Sequence, residues 1–174
     1  MRGRQQQQAF EILLREHQRI VLKVVSMYAR HPDDRNDLAQ EICVQLWRSF
    51  GSFDETRARF STWMYRVALN VAISHVRRTP RHEERFEPLE SSHLDTIGGS
   101  EGIPEADERL IALHGFIDQL DSLNRALILL YLEDRSYSDI ADILGISETN
   151  VATKISRIKQ KLRQQMTGVV PAGA

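Results

Sequence analysis

Residues 136–151 read SYSDIADILGISETNV, and their spacing decides the fold of the C-terminal part of the chain. Ala141 is small where two helices must cross closely. Gly145, four residues later, can adopt the left-handed conformation that ends a helix at little cost. Ser147 is placed to cap the helix that follows. This order of residues predicts a helix-turn-helix, whose second helix normally enters the major groove of DNA.

The predicted second helix has the side chains that DNA binding requires. Its apolar residues form one narrow stripe, and the opposite face is polar. Between Thr149 and Arg163 there are five basic residues and no acidic one. Asparagine, threonine, lysine and arginine are the side chains that contact base edges and phosphates in DNA complexes. The alternative interpretation is that this basic face is only solvated and binds no ligand. The residues predicted to read the groove are Ser147, Glu148, Thr149, Asn150, Thr153, Lys154, Arg157 and Lys161.

Helical periodicity dominates the rest of the chain, without strand-like alternation. It predicts helices at about 7–30, 34–50 and 62–78, and Ser61 or Thr62 is expected to cap the third. The helical periodicity is absent from residues 81–105, where glycine, proline, serine and acidic residues accumulate. It returns near residue 105. The predicted fold class is all-α. Two small helical domains, at 1–80 and 106–167, are joined by a flexible acidic linker at 81–105.

Composition narrows the classes of function. The 174 residues have a net charge of −1, but residues 1–80 contain 13 basic and 8 acidic side chains whereas 81–108 contain 2 and 9. A near-neutral total therefore does not argue against nucleic-acid binding. The single cysteine, Cys43, excludes an internal disulfide and a cysteine-based zinc site. No apolar run approaches a membrane span or a secretory signal, so we expect a soluble cytoplasmic protein without cofactor or metal.

The helix predicted at 62–78 is apolar around most of its circumference. Such a helix must pack on several sides and leave only a narrow polar strip exposed. Arginine binds phosphates, asparagine reads base edges and tryptophan stacks on unpaired bases, although a solvated strip with a half-buried tryptophan fits equally well. The strip contains Trp63, Arg66, Asn70 and Arg77.

The helix predicted at 34–50 has an acidic face. Asp37 and Glu41 lie four residues apart, opposite the stripe formed by Leu38, Ile42 and Leu46, and Trp47 flanks them. Exposed charge normally needs no partner, so a solvated face is one interpretation. The other is a docking surface for a basic protein, to which a neighbouring tryptophan is well suited.

Three segments together resemble the small extracytoplasmic-function (ECF) group of bacterial RNA polymerase sigma factors. They are DLAQEICVQLWRSFGSF at 37–53, FSTWMYRVALNVAISHVRR at 60–78 and SYSDIADILGISETNVATKISRIKQKLR at 136–163. The resemblance extends over about 7–80 and 105–165. The chain departs from the family's common pattern at Leu120–Leu123 and at Asn150–Lys154, and the second departure affects the promoter sequence that would be read.

The resemblance implies a role for each segment. The first would dock on the polymerase, with Asp37, Leu38, Gln40, Glu41 and Gln45 in contact. The second would open and read the minus-ten promoter element through Trp63, Arg66, Asn70 and Arg77, and the third would read the minus-thirty-five element. The implied function is promoter-directed transcription initiation without catalysis by this chain. The implied partners are core RNA polymerase, promoter DNA and an anti-sigma factor.

Two other classes of protein can be compared with this interpretation. An ordinary transcription regulator would bind DNA without polymerase, usually as a symmetric dimer, but residues 1–80 show no dimerisation pattern. A metal-dependent hydrolase would need ligand spacing that the chain does not offer, since His82-Glu83-Glu84 lacks the second histidine of the HExxH pattern. The remaining candidate ligands for such a site are His17, His31, Asp33 and Asp34.

Overall fold

The computed structural model describes residues 2–79 and 104–167, and within these ranges it contains helices and no strands. This confirms the predicted all-α class. The predicted linker falls, up to residue 103, outside the described residues. The helices are α1 (Arg2–Glu16), α2 (Gln18–Tyr28), α3 (Pro32–Ser49), a 3-10 turn (Phe50–Ser52), α4 (Phe60–Arg78), α5 (Pro104–Gln119), α6 (Ser122–Leu132), α7 (Tyr137–Leu144) and α8 (Glu148–Thr167).

Helices α1–α4 form the first bundle, whose core lies between α2, α3 and α4. Leu38, Ile42 and Leu46 of α3 are fully buried, as is Met64 of α4. This accounts for the apolar circumference of α4, since the helix packs against both of its neighbours.

The prediction of one helix at 7–30 is wrong, because the chain leaves helical geometry at His17. That residue has φ −111° and ψ 15°, and its Nδ1 lies 2.9 Å from the Leu13 carbonyl oxygen. Its ring also packs 5.1 Å from the ring of Phe60. Contact with α4 therefore accompanies the break, and periodicity within α1 and α2 does not reveal it.

An aromatic cluster fixes the start of α4. The Phe60 ring lies 5.3 Å from the rings of both Phe53 and Trp63. The helix begins at Phe60 after Arg59, which makes no capping hydrogen bond through its side chain, and Thr62 is buried. The predicted cap at Ser61 or Thr62 is therefore wrong, because the insertion of Phe60 into the cluster sets the boundary.

Helices α5–α8 form the second bundle, and its turn chemistry follows the sequence prediction. The hydroxyl of Ser147 accepts a hydrogen bond from the Asn150 amide at 3.1 Å, which caps α8. Gly145 has φ 69° and ends α7, as expected for the left-handed conformation. The carboxylate of Asp121 accepts from the Asn124 amide at 2.8 Å and caps α6. The helix-turn-helix is thus confirmed as a structure.

The two bundles are in direct contact, which the sequence did not predict. Helix α4 packs against α6 and α7, and α2 packs against α6. Among the helices at 2–79 and 104–167, none is both long and apolar enough to cross a membrane.

Candidate functional site

Helix α8 presents a polar face away from the core of the second bundle. Val151 and Ile155 are fully buried and Ile158 nearly so, which fixes the rotation of the helix. Five predicted side chains are exposed on the other side and are called here the α8 face; Lys154 is half-buried beside them. The face consists of Thr149, Asn150, Thr153, Arg157 and Lys161.

Two residues near the α8 face make contacts within the second bundle. Ser147 accepts the capping hydrogen bond of α8, and its side chain is exposed, so its O–H group is still able to donate. The ammonium group of Lys159 lies 4.3 Å from the centre of the Tyr131 ring, a cation–π contact within the bundle.

The α8 face keeps its amide, hydroxyl and basic groups exposed on a helix whose opposite side is anchored. This is the arrangement that contacts with base edges and phosphates require.

A second surface runs along α3. Asp37, Gln40 and Gln45 are exposed and Glu41 is half-buried. Val44 and Trp47 continue the same surface with exposed fractions of 48% and 43%. We call these six residues the α3 strip. It combines the exposed apolar area of Val44 and Trp47 with polar and acidic side chains around it, and protein interfaces likewise have an apolar centre and a polar rim.

Leu38 does not lie in the α3 strip. Its side chain is fully buried, so the prediction that it contacts a docked partner is wrong, and its role is to anchor α3 in the core. Val44 was missed by the sequence analysis. The signal was available, because Val44 follows Gln40 by four residues and precedes Trp47 by three and so shares their face.

Glu41 links α3 to the C-terminal end of α4. Its Oε2 lies 3.2 Å from Nδ1 of His75, and its Oε1 accepts a hydrogen bond from the guanidinium of Arg78. The Arg78 hydrogen bond has the largest effect on Glu41 and lowers its pKa below the ordinary value; burial opposes this shift, and the hydrogen bond with His75 adds to it. Glu41 is therefore ionised at neutral pH, and part of its charge is balanced within the first bundle.

The polar strip of α4 is exposed except for its tryptophan. Arg66, Asn70 and Arg77 are exposed and share one face, which we call the α4 strip. Trp63 is half-buried in the aromatic cluster, with its ring 5.2 Å from that of Phe53. Nη2 of Arg66 donates a hydrogen bond to the Asp142 carbonyl of α7 at 2.6 Å. The α4 strip thus touches the second bundle at its Arg66 end.

The described part of the chain contains no cluster of three His, Cys, Asp or Glu side chains that could hold a metal ion. His82-Glu83-Glu84, weighed above as possible ligands, lies outside the described residues.

Comparison with known proteins gives consistent matches over both bundles. Residues 13–82 match the family model described as Sigma-70 region 2, and residues 110–162 match the model described as Sigma-70, region 4. The chain is 31% identical over 163 residues to an RNA polymerase sigma-H factor of Pseudomonas aeruginosa, covering 88% of this chain and 84% of that protein. It is 28% identical over 151 residues to the ECF RNA polymerase sigma factor SigW of Bacillus subtilis, covering 76% and 75%.

The fold also matches a solved structure. It resembles the sigma factor RpoE, solved in complex with the anti-sigma factor NepR from Bartonella quintana, with a TM-score of 0.64 and 19% identity. The match covers 92% of this chain and 96% of that one. The similarity extends over both bundles.

Proposed function

The chain belongs to the ECF group of RNA polymerase sigma factors, which direct transcription initiation at promoters, and from this premise we propose how its two bundles divide that task. Residues 1–80 dock on core polymerase and read the minus-ten element. Residues 106–167 read the minus-thirty-five element. The observation that carries this division is the anchored helix α8, whose exposed face offers amide, hydroxyl and basic groups from Thr149 onward without an acid before Arg163.

The α8 face reads the minus-thirty-five DNA. Asn150 and Thr153 are suited to base edges, and Arg157 and Lys161 to phosphates or guanine. Lys154 lies half-buried at the edge of the face, where its flexible side chain reaches a phosphate. Glu148, in the first turn of α8, accepts from a cytosine amino group or stabilises the helix N-terminus.

The α3 strip docks on the polymerase. The exposed side chains of Val44 and Trp47 supply the apolar centre of the contact, and Asp37 and Glu41 supply charge for a basic partner surface. Gln40 and Gln45 complete the strip as neutral hydrogen-bonding groups.

The α4 strip engages the minus-ten element as it opens. Arg66 and Arg77 bind phosphates of the separated strands, and Asn70 reads an unpaired base by hydrogen bonding. Stacking of an unpaired base on an aromatic ring is worth about 1–3 kcal/mol, which offsets much of the cost of extruding it. Trp63 is half-buried, so part of its ring remains available to such a base, while the aromatic cluster fixes the position of the ring.

The chain itself performs no bond chemistry in this proposal, and catalysis belongs to the polymerase. The protein acts in the cytoplasm, where the polymerase and promoter DNA are found. An anti-sigma factor is a further partner, supported by the fold shared with a sigma factor solved in complex with one.

The test is binding to core polymerase and run-off transcription. Asp37→Ala combined with Gln40→Ala should weaken polymerase binding about tenfold or more, because both side chains lie in the α3 strip. Glu16→Ala is the matched control, since it removes one exposed carboxylate from α1. Equal affinity of both variants for polymerase would contradict the docking assignment. Specific promoter binding without polymerase would favour an ordinary regulator.

A further inference from the structure

The first half of α1 buries no side chain in the core of the first bundle. Residues 2–9 are all exposed, and Phe10 is the one buried residue of this helix. The Phe10 ring lies 5.2 Å from the rings of both Trp47 and Phe50. Helix α1 is thus fastened to the bundle from Phe10 onward. We call residues 2–9 the α1 arm.

The α1 arm projects past the end of the bundle. Gln6 and Gly3 precede Phe10 by about one and two turns and share its face. A Cβ added to Gly51 of the 3-10 turn would lie 3.6 Å from Nε2 of Gln6, so this side chain lies against the bundle. A Cβ added to Gly3 would meet no atom within 4 Å. The first turn of the arm therefore faces open space.

The α1 arm is basic. Arg2 and Arg4 are exposed, and the first acidic residue of the chain is Glu11, whose carboxylate accepts a hydrogen bond from Gln7 at 2.9 Å. Neither arginine forms an ion pair with any of the residues that the structure describes. Basic side chains in the first turn of a helix are repelled by the partial positive charge there, so these two do not serve the stability of α1. Their charge is available to an anionic partner.

The α1 arm lies beside the aromatic cluster that holds Trp63. The Phe50 ring, which contacts Phe10, lies 6.3 Å from the Trp63 ring. Arg4 precedes Phe10 by six residues, which corresponds to about 9 Å along the helix axis. One aromatic ring therefore separates the anchor of the arm from the tryptophan at which an unpaired minus-ten base is proposed to stack.

Charge and composition favour DNA over polymerase as the partner of the arm. The α3 strip supplies Asp37 and Glu41 for a basic surface of polymerase, and such a surface would repel two arginines. The arm also has no apolar side chain besides Ala9, whereas protein interfaces have an apolar centre. Arginine and glutamine side chains are, in contrast, common donors of hydrogen bonds to phosphates.

We propose that the α1 arm is a further DNA-binding element, in which Arg2 and Arg4 hold phosphates of the unpaired minus-ten strand next to the base at Trp63. The arm acts on the backbone of the strand and contributes affinity without sequence preference. Its glutamines extend the contact as neutral hydrogen-bond donors. The inference rests on the proposed function, because it takes the minus-ten strand to lie on the α4 strip.

Removal of both arginines tests the arm in the holoenzyme. The DNA is a fork that is duplex through the minus-thirty-five element and single-stranded on the non-template strand of the minus-ten element. Arg2→Ala with Arg4→Ala, the arm variant, should weaken binding to this fork on the order of tenfold. The slope of log K against log salt concentration should fall in magnitude by about 1.4, at about 0.7 for each phosphate of a single strand. Arg2→Lys with Arg4→Lys should retain most of the affinity, since lysine keeps the charge.

Arg15→Ala with Arg19→Ala is the matched control. It removes two exposed arginines from the other side of Phe10, and it should leave both the affinity and the slope unchanged. Equal loss in the control, or no loss in the arm variant, overturns the inference. Weaker binding of the arm variant to core polymerase without DNA overturns it as well, because the arm would then belong to the docking surface.

Uncharged linkages in the DNA locate the contact. Methylphosphonates replace single phosphates of the non-template strand one at a time, and those at the linkages that the arm contacts should weaken binding by the wild type but not by the arm variant. Losses that are the same in both proteins at every linkage would overturn the inference.

Asn70→Ala, in the α4 strip, separates this inference from the proposed function. Weakened fork binding by Asn70→Ala together with wild-type binding by the arm variant overturns only the role of the arm. Wild-type binding by both variants instead refutes the minus-ten role of the first bundle.

Discussion

Two glycines of the second bundle should respond to alanine with opposite signs. Gly145 has φ 69° and ψ 35° at the end of α7, whereas Gly115 lies inside α5. At both positions an added Cβ would meet no atom within 4 Å, so steric clash does not enter the comparison. The difference in effect on stability therefore comes from backbone conformation alone.

The magnitudes follow from that conformational difference. A left-handed alanine costs roughly 1–2 kcal/mol, so Gly145→Ala should lower the free energy of unfolding of the second bundle by that amount. Alanine is better than glycine inside a helix by about 0.5–1 kcal/mol, so Gly115→Ala should raise it. Gly145→Asn is the control, because asparagine tolerates the left-handed region, and it should cost less than alanine.

Native-state hydrogen exchange measures both effects in the intact chain. The slow amides of the buried residues Ile155 and Ile158 should exchange about 5- to 30-fold faster in Gly145→Ala and about 2- to 5-fold slower in Gly115→Ala. Shifts of the same sign at the two glycines would refute the reasoning. An asparagine variant as fast as the alanine variant would refute it as well.

Two further predictions concern charge. Because the pKa of Glu41 is lowered in the folded state, its ionised form stabilises that state at every pH above the ordinary glutamate pKa. This stabilisation disappears as the pH falls through the folded-state pKa of Glu41. The gap in urea midpoint between wild type and Glu41→Gln should therefore shrink with acidification, and a gap independent of pH would contradict the Arg78 contact. Arg157→Ala should weaken holoenzyme binding to minus-thirty-five DNA. If Arg157 binds a phosphate, the slope of log K against log salt concentration should fall in magnitude by about 1. An unchanged slope with relaxed sequence preference would instead assign Arg157 to a base.

The sequence predicted the parts of the fold that local chemistry determines. Gly145 and Ser147 act on the backbone within three or four residues, so the turn and the cap of α8 could be read from their order. The break at His17 and the start of α4 at Phe60 depend on contacts between distant segments, and periodicity within one helix carries no trace of them. Contact between the bundles was missed for the same reason.

In the candidate site too, features set by local spacing could be predicted, and features set by contacts between distant residues could not. The polar faces of α4 and α8 could be placed from helical spacing, because a face needs only the period of the helix. Helical spacing placed Leu38 in the apolar stripe of α3, and only the family resemblance assigned it to docking. The structure buries Leu38 fully, so the helical spacing was the better guide. The engagement of Glu41 by Arg78 joins residues 37 apart, a pairing that helical spacing does not predict.

Both tryptophans of the chain belong to the aromatic cluster of the first bundle, Trp47 at 5.2 Å from Phe10 and Trp63 at 5.2 Å from Phe53. Indole fluorescence consequently reports on only one half of the molecule, while circular dichroism averages over every helix. Melting curves recorded by the two optical signals will coincide only when the halves unfold as a single cooperative unit, so unlabelled protein already contains a reporter of how strongly its halves depend on each other.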